Sequence, residues 1–256
     1  MKLYAFYFSP TGGTKRVLDE VLTAWDCEKH LVDLADRAAD LGGISFEKDD
    51  VCLAAVPSFS GRVPPFIPQK LEKVQGKGTK AVLIVSYGNR AFDDTMLELK
   101  NSLETAGFRC IAGLSAVTQH SIMTKYGAGR PDEADLAEIR GFAQKCAELL
   151  PLTENSVEVP GNEPYRPYHA IPMKPKADSR CTGCGLCARR CPVGAIPAEQ
   201  PRTVDKSRCI SCMQCVRLCP RQARHVSAVM LWVAERKLRA QCAVRKENNP
   251  YFPDQE

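Results

Sequence analysis

The chain has 256 residues, 13 of them cysteine, and a formal charge of +5 that is unevenly spread: residues 1–173 carry 19 Lys and Arg against 23 Asp and Glu, residues 174–246 carry 16 against four. That length suits about two domains, one large enough to bury a core unaided. No apolar run approaches the roughly 18 residues of a membrane span, and the first residues lack a signal-peptide cleavage pattern, so a soluble, cytoplasmic chain is expected.

The apolar, aromatic stretch Lys2–Phe8 predicts a first strand and closes in Ser9-Pro10-Thr11-Gly12-Gly13-Thr14. Val17, Leu18, Val21 and Leu22 then recur at helical spacing. His30–Leu34 reads as a second strand, followed by a short helix and a break at Gly42-Gly43. Val51–Val56 and Ala81–Val85 are continuous apolar runs, as expected of strands covered on both faces of a parallel sheet. Met96, Leu97, Leu99 and Leu103 mark a helix ending near Gly107, and Cys110–Val117 a fifth strand. Pro131-Asp132-Glu133 opens a last helix running to Leu149, with acidic side chains where the macrodipole favours them. Residues 1–150 therefore read as a doubly wound α/β domain on a parallel five-stranded sheet.

In such a sheet the ligand lies beyond the carboxyl ends of the strands, where strand order reverses. The loop after the first strand offers Ser9, Thr11, Gly12, Gly13 and Thr14, whose backbone N–H groups and hydroxyls can cradle a phosphate at a helix N-terminus. It is not a Walker loop, which needs Gly-x4-Gly-Lys-Ser/Thr. After the third strand come Ser58 and Phe59 on a Gly/Pro-rich loop, where an aromatic suits a flat ring; after the fourth come Tyr87, Gly88 and Asn89, suited to the edge of that ring. His120-Ser121 is a weaker candidate at the same edge, and a solvated loop is the plainer reading.

Residues 151–175 hold six prolines and form a stiff linker that Tyr165 and Tyr168 pin against a domain face. Residues 176–226 contain C-x2-C-x2-C-x3-C-P twice. Three thiolates so spaced wrap one corner of a 4Fe-4S cluster, while the fourth ligates the other cluster. On that rule one cluster takes Cys181, Cys184, Cys187 and Cys219, and the second takes Cys209, Cys212, Cys215 and Cys191. Zinc sites want two C-x2-C pairs and fit worse. The other five cysteines are scattered singly and read as small buried hydrophobes. Residues 227–256 supply a basic helix over 227–244, expected to pack its Trp232 face on the adjoining domain, and a tail.

Residues 1–150 resemble flavodoxins in Ser9-x-Thr11-Gly12-x-Thr14 and in the Phe59 and Tyr87–Asn89 loops, and residues 179–225 resemble bacterial two-cluster ferredoxins. The whole chain, with Gly61-Arg62-Val63-Pro64, Gly88–Asp94 and Gly129–Asp132, is similar to flavodoxin–ferredoxin fusion proteins of anaerobes. That resemblance implies FMN in the first half and a small α+β domain with two 4Fe-4S clusters in the second. Phe59 stands where flavodoxins often carry Trp or Tyr. The expected function is electron transfer between FMN, the clusters and an external redox partner, without membrane span or nucleic acid. An FMN-dependent reductase of a small molecule, fed by the clusters, is the alternative; a redox-sensing nucleic-acid binder built on the basic segment is a third reading. The basic excess points to an acidic partner near Arg189-Arg190 and Arg221–Arg224.

Overall fold

Alternate residues of β1 (Lys2–Tyr7) face opposite sides of the central sheet in the computed structural model, which describes residues 1–254. Helix α1 (Gly13–Val21) follows, then β2 (Glu28–Asp33) and β3 (Val51–Pro57). Next come α2 (Ile67–Leu71), β4 (Lys80–Tyr87), α3 (Thr95–Thr105), β5 (Arg109–Val117) and α4 (Glu133–Leu149). The five strands are parallel in the order β2-β1-β3-β4-β5, the flavodoxin-like order with its switch point between β1 and β3.

Each face of the sheet is covered. Phe6, Cys52, Ala54, Leu83 and Val85 pack under α2 and α3, while Leu3, Ala5, Leu53, Val82 and Ile84 pack under α1 and α4. Burial on both sides explains why β3 and β4 read as unbroken apolar runs. A capping box starts α4: the Asp132 carboxylate accepts from the Asp135 N–H, and Asp135 returns the bond to the Asp132 N–H. The expected short helix after β2 does not form. Residues 34–43 instead make turns held by Asp33, Asp36 and Asp40, each accepting from a backbone N–H two residues on.

The linker is strapped to α3. Arg62 grips Glu98 with two donors (2.7 and 2.8 Å) and stacks its guanidinium 4.8 Å from the Tyr165 ring, while Asp94 accepts from the Asn162 and Arg166 N–H groups. Beyond it, β6 (Lys176–Ala177) pairs antiparallel with β7 (Arg224–His225), enclosing α5 (Leu186–Arg189) and α6 (Gln214–Arg217). Each short helix begins two residues after the middle cysteine of its run.

Two features of the C-terminal region depart from expectation. Helix α7 (Ala228–Cys242) turns Leu231, Ala234 and Leu238 inward and leaves Trp232 57% exposed, so its Trp232 face does not pack on the neighbouring domain. The tail then returns to the first half: β8 (Asn249–Tyr251) pairs antiparallel with Gly113–Ser115 of β5 and adds a sixth strand. Pro250 is tolerated there because β8 is an edge strand.

Candidate cofactor sites

The carboxyl ends of β1, β3, β4 and β5 open into three spaces that share walls. The smallest, about 40 Å³, lies over the phosphate-loop candidates and is lined by Thr11, Gly13, Thr14, Ser58, Ser86 and Thr118. Gly12 shapes this seat: it precedes α1 at φ 95°, a backbone conformation that suits glycine. Ser9 Oγ accepts the Lys15 N–H (2.8 Å), and Thr14 and Ser86 hydroxyls bond to each other across the strand ends (2.8 Å). The first N–H groups of α1 have no partner within the helix and point at the same end. A phosphate-sized anion fits this donor set.

The second space, about 430 Å³, is lined by Ser58, Phe59, Gly88, Arg90 and His120, and also by the linker (Arg166, His169, Ile171, Met173), by Ser211, and by Leu238 and Gln241 of α7. The third, about 480 Å³, runs from Thr11, Gly12 and Arg16 past His120 and Ser121 to Met213, Val216 and Arg217. Both reach from the first half of the chain to the second. His120, ranked low in the sequence, stands in the wall between them. Its Nδ1 accepts the Ile122 and Met123 N–H groups (3.1 Å each), which leaves the proton of the neutral ring on Nε2. Burial, aided by the Arg90 charge, lowers its pKa to about 4. Gly88 makes room for it, since a Cβ there would meet the His120 side chain at 2.8 Å.

The other flavin-loop candidates divide. Ser58 and Phe59 line the spaces, but Phe59 is largely buried, edge-on to Phe8 with centroids 6.0 Å apart, and forms a wall rather than a free plate. It sits at the base of a two-residue hairpin whose tip residues, Ser60 and Gly61, both have positive φ. Tyr87 lines the small seat, yet its hydroxyl donates to the Glu247 carbonyl (3.1 Å) and burial pushes its pKa up to about 12. The Asn89 side chain is engaged within the protein. Its amide nitrogen donates to the Cys242 and Val244 carbonyls (2.7 and 3.0 Å) and its oxygen accepts the Lys246 N–H (3.1 Å), so it clamps the returning tail. The tail's own Asn248 accepts the Val117 N–H and donates to Asp135, and Arg130, in its buried pair with Asp135, donates to the Lys246 carbonyl.

The eight motif cysteines fall into two groups. Cys181, Cys184, Cys187 and Cys219 line one cavity; Cys191, Cys209, Cys212 and Cys215 line another. Each cavity thus takes three cysteines from one run and the fourth from the other. Among the described residues no three His, Cys, Asp or Glu side chains are grouped to hold a single metal ion, so each set surrounds a space rather than a point. Two details fit an anionic, multi-sulfur group. The Ala195 N–H donates to Cys191 Sγ (3.2 Å) and the Ala223 N–H to Cys219 Sγ (3.3 Å). The Arg224 guanidinium, buried beside the first set, has donors with no protein partner.

The two sets have different surroundings. Cys212 and Ile210 belong to the same apolar cluster as Phe8 and Phe59, and burial pushes the Cys212 and Cys215 thiols up to about 12. In the first set Cys184 is exposed. At Cys219 burial opposes ionisation, but the N–H groups of Ala223, Arg221 and Arg224 outweigh it and the pKa falls.

The 4Fe-4S dicluster domain family matches residues 180–223, which span both cysteine runs. The chain is a flavodoxin-like sheet fused to a 4Fe-4S dicluster domain. NADH-quinone oxidoreductase subunit I of Pseudomonas paraeruginosa is 34% identical over 70 residues, covering 27% of this chain and 37% of the relative; the same protein of Pseudomonas aeruginosa matches equally. The fusion therefore spans little more than a third of the length of these curated relatives. Among solved structures, a flavodoxin from the domain Archaea aligns with 59% of this chain and 99% of its own at 15% identity and TM-score 0.44. Oxidised Flavodoxin 1 from Bacillus cereus aligns with 58% and 98%, at 15% identity and TM-score 0.44. No helix among the described residues is long and apolar enough to cross a membrane.

Proposed function

We propose that this chain is an electron carrier in which FMN occupies the spaces at the switch point and two 4Fe-4S clusters occupy the two cysteine cavities, the second set nearest the flavin and the first set facing a redox partner. The observation that carries the order is Met213: it lines both the third space, beside the phosphate loop, and the cavity of Cys191, Cys209, Cys212 and Cys215. Thr11, Gly12, Gly13 and Thr14 would hold the phosphate, and the flat ring would extend toward Phe59, Gly88 and His120. FMN accepts one or two electrons and each cluster one, so such a fusion converts between paired and single-electron transfer. The chain's own part is to fix the spacing: residues of the linker and α7 line the ring space together with the loops after β3 and β4, which supports the carrier reading.

The partner surface follows from the outer set. Arg189 reaches back to the Cys184 carbonyl (3.2 Å) and Arg202 to the Cys181 carbonyl (2.6 Å), while Arg221 lines the same cavity; all three are exposed. An acidic protein suits that surface. Two arginines expected there point elsewhere: Arg190 faces Asp33 of the flavodoxin-like domain (3.8 Å), and Arg224 is buried.

The test is a stopped-flow experiment on anaerobic holo-protein with a one-electron donor. Clusters should be reduced first and FMN only through them, and Cys215→Ser, which removes the inner cluster, should leave the outer cluster reducible and the flavin oxidised. Equal flavin reduction with and without the inner cluster would overturn the order.

A further inference from the structure

Arg224 lies on β7 where its backbone pairs with Ala177, and its side chain is only 3% exposed. One end nitrogen donates to the Pro201 and Thr203 carbonyls, tying the chain segment that closes the first cavity. Its Nε and its other end nitrogen are buried without a hydrogen-bond partner. Among the described residues no carboxylate pairs with it, although Arg180 nearby pairs with Asp178 and Arg190 with Asp33. A buried guanidinium with idle donors is costly unless an anion meets it. What the side chain lines is the cavity of Cys181, Cys184, Cys187 and Cys219.

We propose that Arg224 is the buried counter-charge of the outer cluster, holding its reduction potential up. This rests on the reading that the cysteine sets hold 4Fe-4S clusters. The step concerned is transfer of one electron from an external donor to a cluster, with no bond made or broken. The added electron makes the cluster more negative, and a fixed positive charge in a water-poor setting favours that form. Arg224 is thus a positioning and tuning residue. Arg180 provides the contrast, carrying the same charge in the open beside its own carboxylate.

The experiment is an EPR-monitored redox titration of reconstituted holo-protein, with iron and sulfide assayed in each sample. In Arg224→Gln the outer cluster's midpoint should fall, and by more than the inner cluster's changes, at wild-type iron content. Arg224→Lys keeps the charge but not the two-carbonyl fork, and should stay close to wild type; Arg180→Gln should shift the outer cluster less than Arg224→Gln. Intact clusters with an unchanged outer midpoint in Arg224→Gln would overturn the assignment while leaving the cluster reading in place. A fall in Arg224→Lys equal to that in Arg224→Gln, or loss of clusters in both, would make Arg224 a structural tie and also overturn it. Wild-type protein that takes up no clusters would remove the cluster reading itself, and this inference with it.

Discussion

The two cysteine sets are near-copies in sequence and unlike in position. Both runs place a four-residue helix after the second cysteine and a proline after the fourth. Yet the second set is seated against the core that holds Phe8 and Phe59, whereas the first keeps Cys184 at the surface under a fringe of arginines. The motif fixes what each set can bind; the packing around it fixes which neighbour it can exchange electrons with. The same contrast separates Arg224 from Arg180 and Arg190, which differ only in what encloses them.

The comparison can be broken most severely at the cysteine shared between runs. Cys191 lines the inner cavity with Cys209, Cys212 and Cys215 although it is the fourth cysteine of the first run. Cys191→Ser is expected to cost about half the bound iron and to perturb the inner cluster's EPR signal, leaving the outer one nearly intact; selective loss of the outer signal would reverse the assignment. Next in size is the flavin seat. Gly12→Val, strained at φ 95°, combined with Thr14→Val, which removes the hydroxyl joined to Ser86, should lower FMN occupancy at least about tenfold, read as FMN released on denaturation. Unchanged occupancy would place the cofactor elsewhere.

The outer face gives a smaller, salt-dependent effect. Arg189→Glu with Arg221→Glu should slow reduction by an acidic protein partner several-fold at low ionic strength. The difference should shrink as the Debye length falls to about 8 Å near physiological salt. The same substitutions should leave the rate of flavin reduction by the inner cluster unchanged, since both side chains belong to the outer surroundings. The smallest effect concerns the inner side and is one of stability. His120 titrates near 4 when folded and near its ordinary 6.5 when unfolded, so the unfolded chain binds more protons between those values and stability rises with pH across that window. From pH 7 to pH 5.5 the loss attributable to His120 is about 1 kcal/mol. Denaturant unfolding of wild type and His120→Gln at both pH values measures it: the wild type should lose more on acidification, and identical losses would show that His120 charges freely in the fold.

Much of the candidate site was legible because its signals are local. Cluster-type spacing needs only neighbouring residues, and the Ser9–Thr14 loop announces itself by glycines and hydroxyls between a strand pattern and a helix pattern. What the sequence leaves unsaid depends on residues far along the chain. Asn89 reads as a turn residue at a ligand edge, but its amide meets carbonyls 153 and 155 positions away. His120 has no motif around it, and becomes a candidate only when the loop after β5 brings it between two spaces. A buried arginine such as Arg224 is indistinguishable in sequence from the exposed ones beside it.

By itself the sequence determined the five parallel strands, the helices after the first, fourth and fifth of them, the two cysteine runs and the acidic and basic halves, since each depends on periodicity, spacing or composition within a short window. Only the tertiary structure decided that α7 turns Trp232 outward, that β8 returns to the edge of the first domain's sheet, and that one cysteine set is inner and the other outer. Those outcomes are set by which surfaces meet. The three residues of β8 form a strand because the unpaired edge of β5 offers its backbone groups a partner. Likewise, the inner set is inner because Ile210 and Cys212 complete an apolar surface that the flavodoxin-like core leaves open.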